Sequence, residues 1–275
     1  MTALDVPVHP EFEQHGSFGH LRLGRKEKRE DPRTLEFAKY VDESAIPTPP
    51  ASVDYGTPVP EWPMYENDVL GDCAPAMTGH LVQAWSQAAG GMKVMDAADI
   101  ERMYWETGNP PAATGTPGSP TDDGRYELDI LNYWRQSGIG AGEPWADRIA
   151  AYAAVDPLNP YHVRAAIYLL GGVCAGAGLP LTAQGQQVWD VVPDAPEAET
   201  KPYSWGGHAF AIVGYDESGY LVVTWGALLK MTNAFFDSYV DELYACASPD
   251  FTASGASPQG FNLPELIRDV QALTA

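Results

Sequence analysis

The stretch PPASVDYGTPVPEWPMYENDVLGDCAPAMTGH, residues 49–80, decides the reading of this chain. Its last third opens the clearest helix of the sequence, Asp72 to Gly91. Asp72 stands where an N-cap belongs, Gly90-Gly91 supply a stop, and Met77, Leu81, Trp85 and Ala88 recur at helical spacing. Ala74, Ala76 and Gly79 are small, so the helix is expected to lie deep between other elements. Cys73 is then the residue that opens a buried helix. The free N–H groups and partial positive charge of a helix N-terminus lower a thiol's pKa and can also hold an oxyanion.

Working outward, residues 1–47 read as a polar arm, Ile46-Pro-Thr-Pro-Pro-Ala51 as a linker, and residues 48–275 as the globular domain. Within the arm only Asp31 to Val41 has helical character. Beyond residue 91, helices are expected over Ala97–Thr107, Glu127–Ser137 and Pro160–Leu170, with a Gly/Pro/Ser/Thr-rich surface loop over Gly108–Gly124. The texture then changes. Val173–Leu179, His208–Tyr215 and Tyr220–Trp225 read as strands, with Asp216 to Gly219 as a hairpin turn and Asp190–Lys201 as an acidic loop. Phe235–Ala245 fits helix or strand. The tail from Pro249 reads as loop until a short helix at Pro264–Leu273. Helices first and strands later argue for an α+β fold with segregated lobes.

Composition bounds the function. At 45% apolar and 19% charged residues, 275 residues hold a sizeable core. The net charge is −21, yet residues 1–40 are neutral, with seven basic and seven acidic side chains, so the body carries the whole excess. Such a body repels nucleic acid and anionic membranes. No apolar run is long enough to span a bilayer. The opening MTALDVPVHPEFEQ has neither a basic start nor an apolar core, which points to a cytoplasmic chain or a part of a virion or other assembly. The basic run Arg22, Arg25, Lys26, Lys28, Arg29, Arg33 suits an acidic partner, the chain's own body included, or a solvated face. His9, His15 and His20 match no standard ligand spacing, and neither a metal nor a cofactor is expected.

A thiol nucleophile needs a base, usually histidine. His208 follows Gly206-Gly207 and opens the strand AFAIVGY, a rigid mount for a catalytic group. His80 lies two turns along the Cys73 helix, about 10 Å away, too far for a hydrogen bond and therefore a packing or surface residue. His162 reads as a surface residue at a helix start. Cys174, in GGVCAGAG, and Cys246 read as inert structural thiols.

In order along the chain, four pieces resemble papain-like cysteine peptidases. Ala51-Ser-Val-Asp-Tyr55 resembles the start of the mature domain, with Asn67 six residues and Gly71 two residues before Cys73. GRYELDILNYWRQSGI resembles the family's Gly-rich turn and third helix, and HVRAAIYLLGGVCAGAG its helix leading into a strand. GGHAFAIVGYDESGYLVVTWG resembles the histidine strand, through His208, Gly214-Tyr215 and Trp225-Gly226. The resemblance spans Ala51 to Thr232. It implies a two-lobed α+β domain with a cleft between the helical lobe and the sheet lobe, and a peptide or protein substrate in that cleft. It also implies that Cys73 is the nucleophile, His208 the base and Asn67 the oxyanion donor in place of the family's Gln; the place of the orienting Asn falls to Val223 or Thr224, of which Thr224 has a hydroxyl that can accept from the imidazole. Asp68 beside Asn67, and Ala74 where the family has Trp, are further departures. CHAP-type cell-wall amidases share the Cys-then-His order, but the Val-Gly-Tyr and Trp-Gly text favours the papain branch.

Two functions follow. One is a cysteine peptidase or related amide hydrolase. The other is a catalytically weak or inactive scaffold that serves as a binding or structural component, for instance of a phage particle. Residues 1–47 occupy the place of an inhibitory pro-segment. If they cross the cleft they inhibit; if they reach another subunit they assemble a homo- or hetero-oligomer.

Overall fold

The computed structural model describes residues 6–144, 146–249 and 261–273. Eight helices are seen among them: α1 (Pro10–His15), α2 (Cys73–Ala88), α3 (Ala97–Glu106), α4 (Glu127–Gln136), α5 (Pro160–Leu170), α6 (Glu197–Thr200), α7 (Asn233–Tyr239) and α8 (Leu263–Leu273). The strands are β1 (Val53–Asp54), β2 (Ala151–Ala154), β3 (Val173–Leu179), β4 (Val188–Trp189), β5 (Gly206–Tyr215), β6 (Gly219–Thr224), β7 (Ala227–Thr232) and β8 (Val240–Ala247). They form one sheet in the order β2-β8-β3-β5-β6-β7-β4, with β1 on the last residues of β5. The expected loop over residues 250–260 lies outside the described residues.

The alternation of side chains along the strands divides the core in two. Ala209, Ala211 and Val213 of β5, with Cys174, Val223 and Cys246, face α2, α3 and α4. Phe210 and Ile212, with Val173 and Ala175, face the other way, onto α5, α7, α8 and the arm. α2 is the central element: every residue from Cys73 to Ser86 is buried, as its small side chains predicted. Trp85 of α2 stacks on Trp134 of α4, with ring centroids 5.5 Å apart.

The expected α+β architecture and its principal helices and strands are present. The departures have local causes. Asp31–Val41 forms no helix, only a 3-10 turn at Phe37–Tyr40. The carbonyl of Leu35 accepts from Ala154 N–H of β2, and Phe37 and Tyr40 are buried in the body, so sheet pairing and core packing outweigh helix propensity. Residues 235–245, which fit either type, are both: α7 ends at Tyr239 and β8 begins at Val240. β2, Ala-Tyr-Ala-Ala, carried no strand signal because alanine favours helix. It exists through its pairing with β8. His162 is not on the surface; it is buried, and its Nε2 lies 2.7 Å from Glu43 Oε1.

Candidate active site

Cys73 opens α2 as expected, with Asp72 in the N-cap position. Its sulfur accepts a hydrogen bond from Ala209 N–H at 3.4 Å, which ties the helix start to the residue after His208. His208 enters β5 behind Gly206-Gly207 and is wholly buried. Its Nε2 is 2.6 Å from Thr224 Oγ1, where β6 ends. Its Nδ1 has no hydrogen-bond partner among the described residues. Trp225 stacks on the imidazole, with centroids 4.3 Å apart and planes at 19°. A backbone φ of 45° turns Trp225 onto that ring, a left-handed conformation that a bulky residue rarely adopts.

Asn67 lies in the loop before α2 and is buried. Its side-chain N–H donates to Leu70 O at 3.4 Å. Of the four candidate residues, Cys73, His208 and Thr224 are linked through Ala209 N–H and the Thr224 hydroxyl, while the Asn67 amide is engaged by its own loop. Asp72, read only as a cap, is a fully buried acid whose side chain makes no capping bond. Burial raises its pKa well above the ordinary carboxylate value.

What the sequence did not reveal is the route of the arm. Residues 22–26 run between the two lobes, over Cys73. Arg125 N–H donates to Gly24 O at 2.8 Å and Lys26 N–H to Arg125 O at 2.9 Å on the helical side. On the sheet side, Arg25 N–H donates to Gly207 O at 3.1 Å and Trp225 Nε1 to Arg22 O at 3.3 Å. A Cβ on Gly24 would stand 1.8 Å from Gly71 O, so only glycine passes this point. The basic run meets acids of the chain's own body: Arg22 pairs with Asp122, Lys26 with Asp123 and Arg29 with Asp129.

Arg25 is the anchor. Its side chain is buried, with Nε 2.9 Å from Glu127 Oε1 and Nη2 2.6 Å from Asp241 Oδ1 and 2.5 Å from Glu242 Oε2. Nη1 donates to Tyr203 OH at 2.9 Å. The missing side chain of Gly176 makes the room, since a Cβ there would lie 2.1 Å from Arg25 Nε.

Under this cover the site is electrically silent. Burial pushes the Cys73 thiol up to about 12, against the lowering expected from the helix N-terminus. Burial, and then the positive charge of Arg25, push His208 down to about 3. Desolvation outweighs the helix dipole here because both side chains are buried.

Neither a family model nor a curated protein sequence matches the chain. Solved structures do. Xylellain, a cysteine protease from Xylella fastidiosa, is 14% identical over 83% of this chain and 97% of its own, with a TM-score of 0.62. The proform of Amb a 11, a cysteine protease and ragweed pollen allergen, is 14% identical over 90% of this chain and 83% of its own, at 0.58. Procathepsin B S9 from Trypanosoma congolense is 13% identical over 82% and 86%, at 0.54. Despite identities this low, the shared architecture establishes that this chain has the papain-like cysteine protease fold.

Proposed function

We propose that the chain is a papain-like cysteine peptidase, or a related amide hydrolase, that its own arm keeps inactive. The observation that carries this reading is the state of His208. One ring nitrogen is held by Thr224, the other is free in a buried setting, and the next residue donates to the Cys73 sulfur. Nδ1 makes no hydrogen bond to the Cys73 sulfur in this closed state, and an uncommitted ring nitrogen on the strand next to the thiol is what supports His208 as the base.

In the proposed mechanism residues 22–26 leave the cleft and water enters. Loss of the Arg25 charge and of desolvation lets the Cys73 proton pass to His208 Nδ1. The thiolate attacks an amide carbonyl carbon, and the carbonyl electrons move onto oxygen. N–H groups of the first turn of α2 hold that oxyanion, joined by Asn67 if its amide turns from Leu70. The imidazolium then protonates the amine, which leaves as the C–N bond breaks. His208 next takes a proton from water, whose oxygen attacks the thioester and releases the acid and the thiol. Thr224 accepts from Nε2–H throughout and fixes the ring. The Thr hydroxyl has no charge, so the imidazolium is stabilised less than by a carboxylate.

A second reading, a catalytically weak or inactive scaffold that binds or builds, is favoured by the uncharged pair and the filled cleft. The test is Gly24→Ala, which the 1.8 Å clash makes unable to seat the arm. This protein is incubated with a mixture of peptides, and products are read by mass spectrometry. The proposal expects cleavage that Cys73→Ser removes. Absence of cleavage from a folded Gly24→Ala protein favours the scaffold.

A further inference from the structure

From the three side chains that helix α1 and the turn after it bring together, we propose a zinc site on the arm, formed by Glu11, His15 and His20. One ligand atom from each lies within 4.8 Å of the others. Glu11 Oε2 is 3.0 Å from His20 Nε2 and 3.7 Å from His15 Nε2, and the two imidazole centroids are 4.2 Å apart. Ligand atoms around a tetrahedral zinc ion with bonds of about 2.0–2.1 Å stand about 3.3 Å from one another, so small rotamer adjustments complete the set. Two imidazoles and a carboxylate suit zinc, and water takes the fourth position. Spacing alone did not reveal the site because the third ligand is a carboxylate one helical turn from His15.

The backbone that carries these ligands is pinned. On one side His9 is buried, with Nε2 3.0 Å from Thr224 O. Between His15 and His20, Gly16 closes α1 in a left-handed conformation (φ 68°) and Phe18 is fully buried. Phe18 packs edge-on against His9 and Phe12 and stacks on Trp225 at 5.4 Å. The three ligands themselves remain open to solvent, His15 and His20 at 42% and 40% of their side-chain surface, so an ion enters without unfolding the arm. The segment that the ion would fasten carries Phe18 between its ligands, and Phe18 stacks on Trp225, which covers His208. Zinc would therefore tighten the seated arm, a consequence that rests on the arm being the inhibitor proposed above.

Binding is measured by calorimetric titration of zinc chloride into the full-length Cys73→Ser protein, which removes the cleft thiol as a competing ligand. The site stands or falls here independently of any hydrolysis. One ion per chain is expected, with affinity reduced at least about tenfold in Glu11→Gln and abolished in His15→Ala/His20→Ala, since even outer-shell losses cost that much. Equal titration of the parent and the double variant, or none in either, overturns the proposal. For the consequence, zinc at 100 times its dissociation constant should slow iodoacetamide alkylation of Cys73 in the unsubstituted chain by up to about 100-fold. It should have no such effect in His15→Ala/His20→Ala. Equal slowing in both means that the ion acts at Cys73 itself and refutes the regulatory role.

Discussion

Arg25→Ala should release the arm. The side chains of Arg25 and Glu127 are wholly buried and that of Glu242 nearly so, and the substitution leaves both acids in place without their cation. Removing one partner of a buried ion pair costs about 3–5 kcal/mol. Glu127 softens this by taking a proton, because burial and the neighbouring Glu242 already raise its pKa. The low end is therefore the appropriate figure. The chain can avoid the cost by lifting residues 22–26 and hydrating the carboxylates, so the energy appears as arm release. At about 3 kcal/mol the open population rises roughly 100-fold, by 1.36 kcal/mol per decade. The assay is the rate of Cys73 alkylation by iodoacetamide at pH 7.5, followed by peptide mass mapping, with Arg33→Ala as the control on an exposed pair. A rate within twofold of the parent would show that Arg25 does not hold the arm in place. So would a lower urea midpoint without faster alkylation, since the cluster would then stabilise the fold and not the arm.

Three other outcomes are expected. In the Gly24→Ala background, Thr224→Val should lower kcat by more than tenfold but less than the roughly 10⁴-fold loss of a charged orienter, with KM little changed; an unchanged kcat contradicts the role of Thr224. Trp225→Ala removes an indole packed on His208, Phe18 and Trp205 and should cost about 3–5 kcal/mol in urea unfolding; a cost under ~1 kcal/mol would show that the stack is dispensable. Burial pushes His80 down to about 4, so between pH 6.5 and 4 the unfolded chain binds a proton that the folded chain does not, and stability falls as pH falls. His80→Gln, which can still donate to Pro63 O, should reduce that slope by up to about 1.4 kcal/mol per pH unit, and an identical slope in the two proteins would contradict it.

The parts of the site legible in the sequence are those that local chemistry announces. A cap, a run of small residues and a stop placed Cys73 at the head of a buried helix. Two glycines before an apolar strand marked His208 as the candidate base, whereas Thr224 came from the resemblance to the papain-like histidine strand and from no local signal. The route of the arm was not legible, because its anchor is written in residues far apart: Arg25 meets Glu127, Tyr203, Asp241 and Glu242. No periodicity links them. For the same reason the ionisation of Cys73 was misread. The helix terminus is a local feature, whereas the burial that overrides it comes from residues distant in sequence, among them Ala209 of β5, whose N–H meets the sulfur. Asp31–Val41 failed similarly, its helical pattern losing to pairing with β2.

The central claim is that Cys73 and His208 form an activated pair once the arm is lifted. The most direct test is the pH dependence of Cys73 alkylation in Gly24→Ala, with and without His208→Ala. Labelling should persist below pH 6 with His208 present and revert to an ordinary thiol profile, half-complete at about pH 8.5, without it. An ordinary profile in both proteins would contradict the claim.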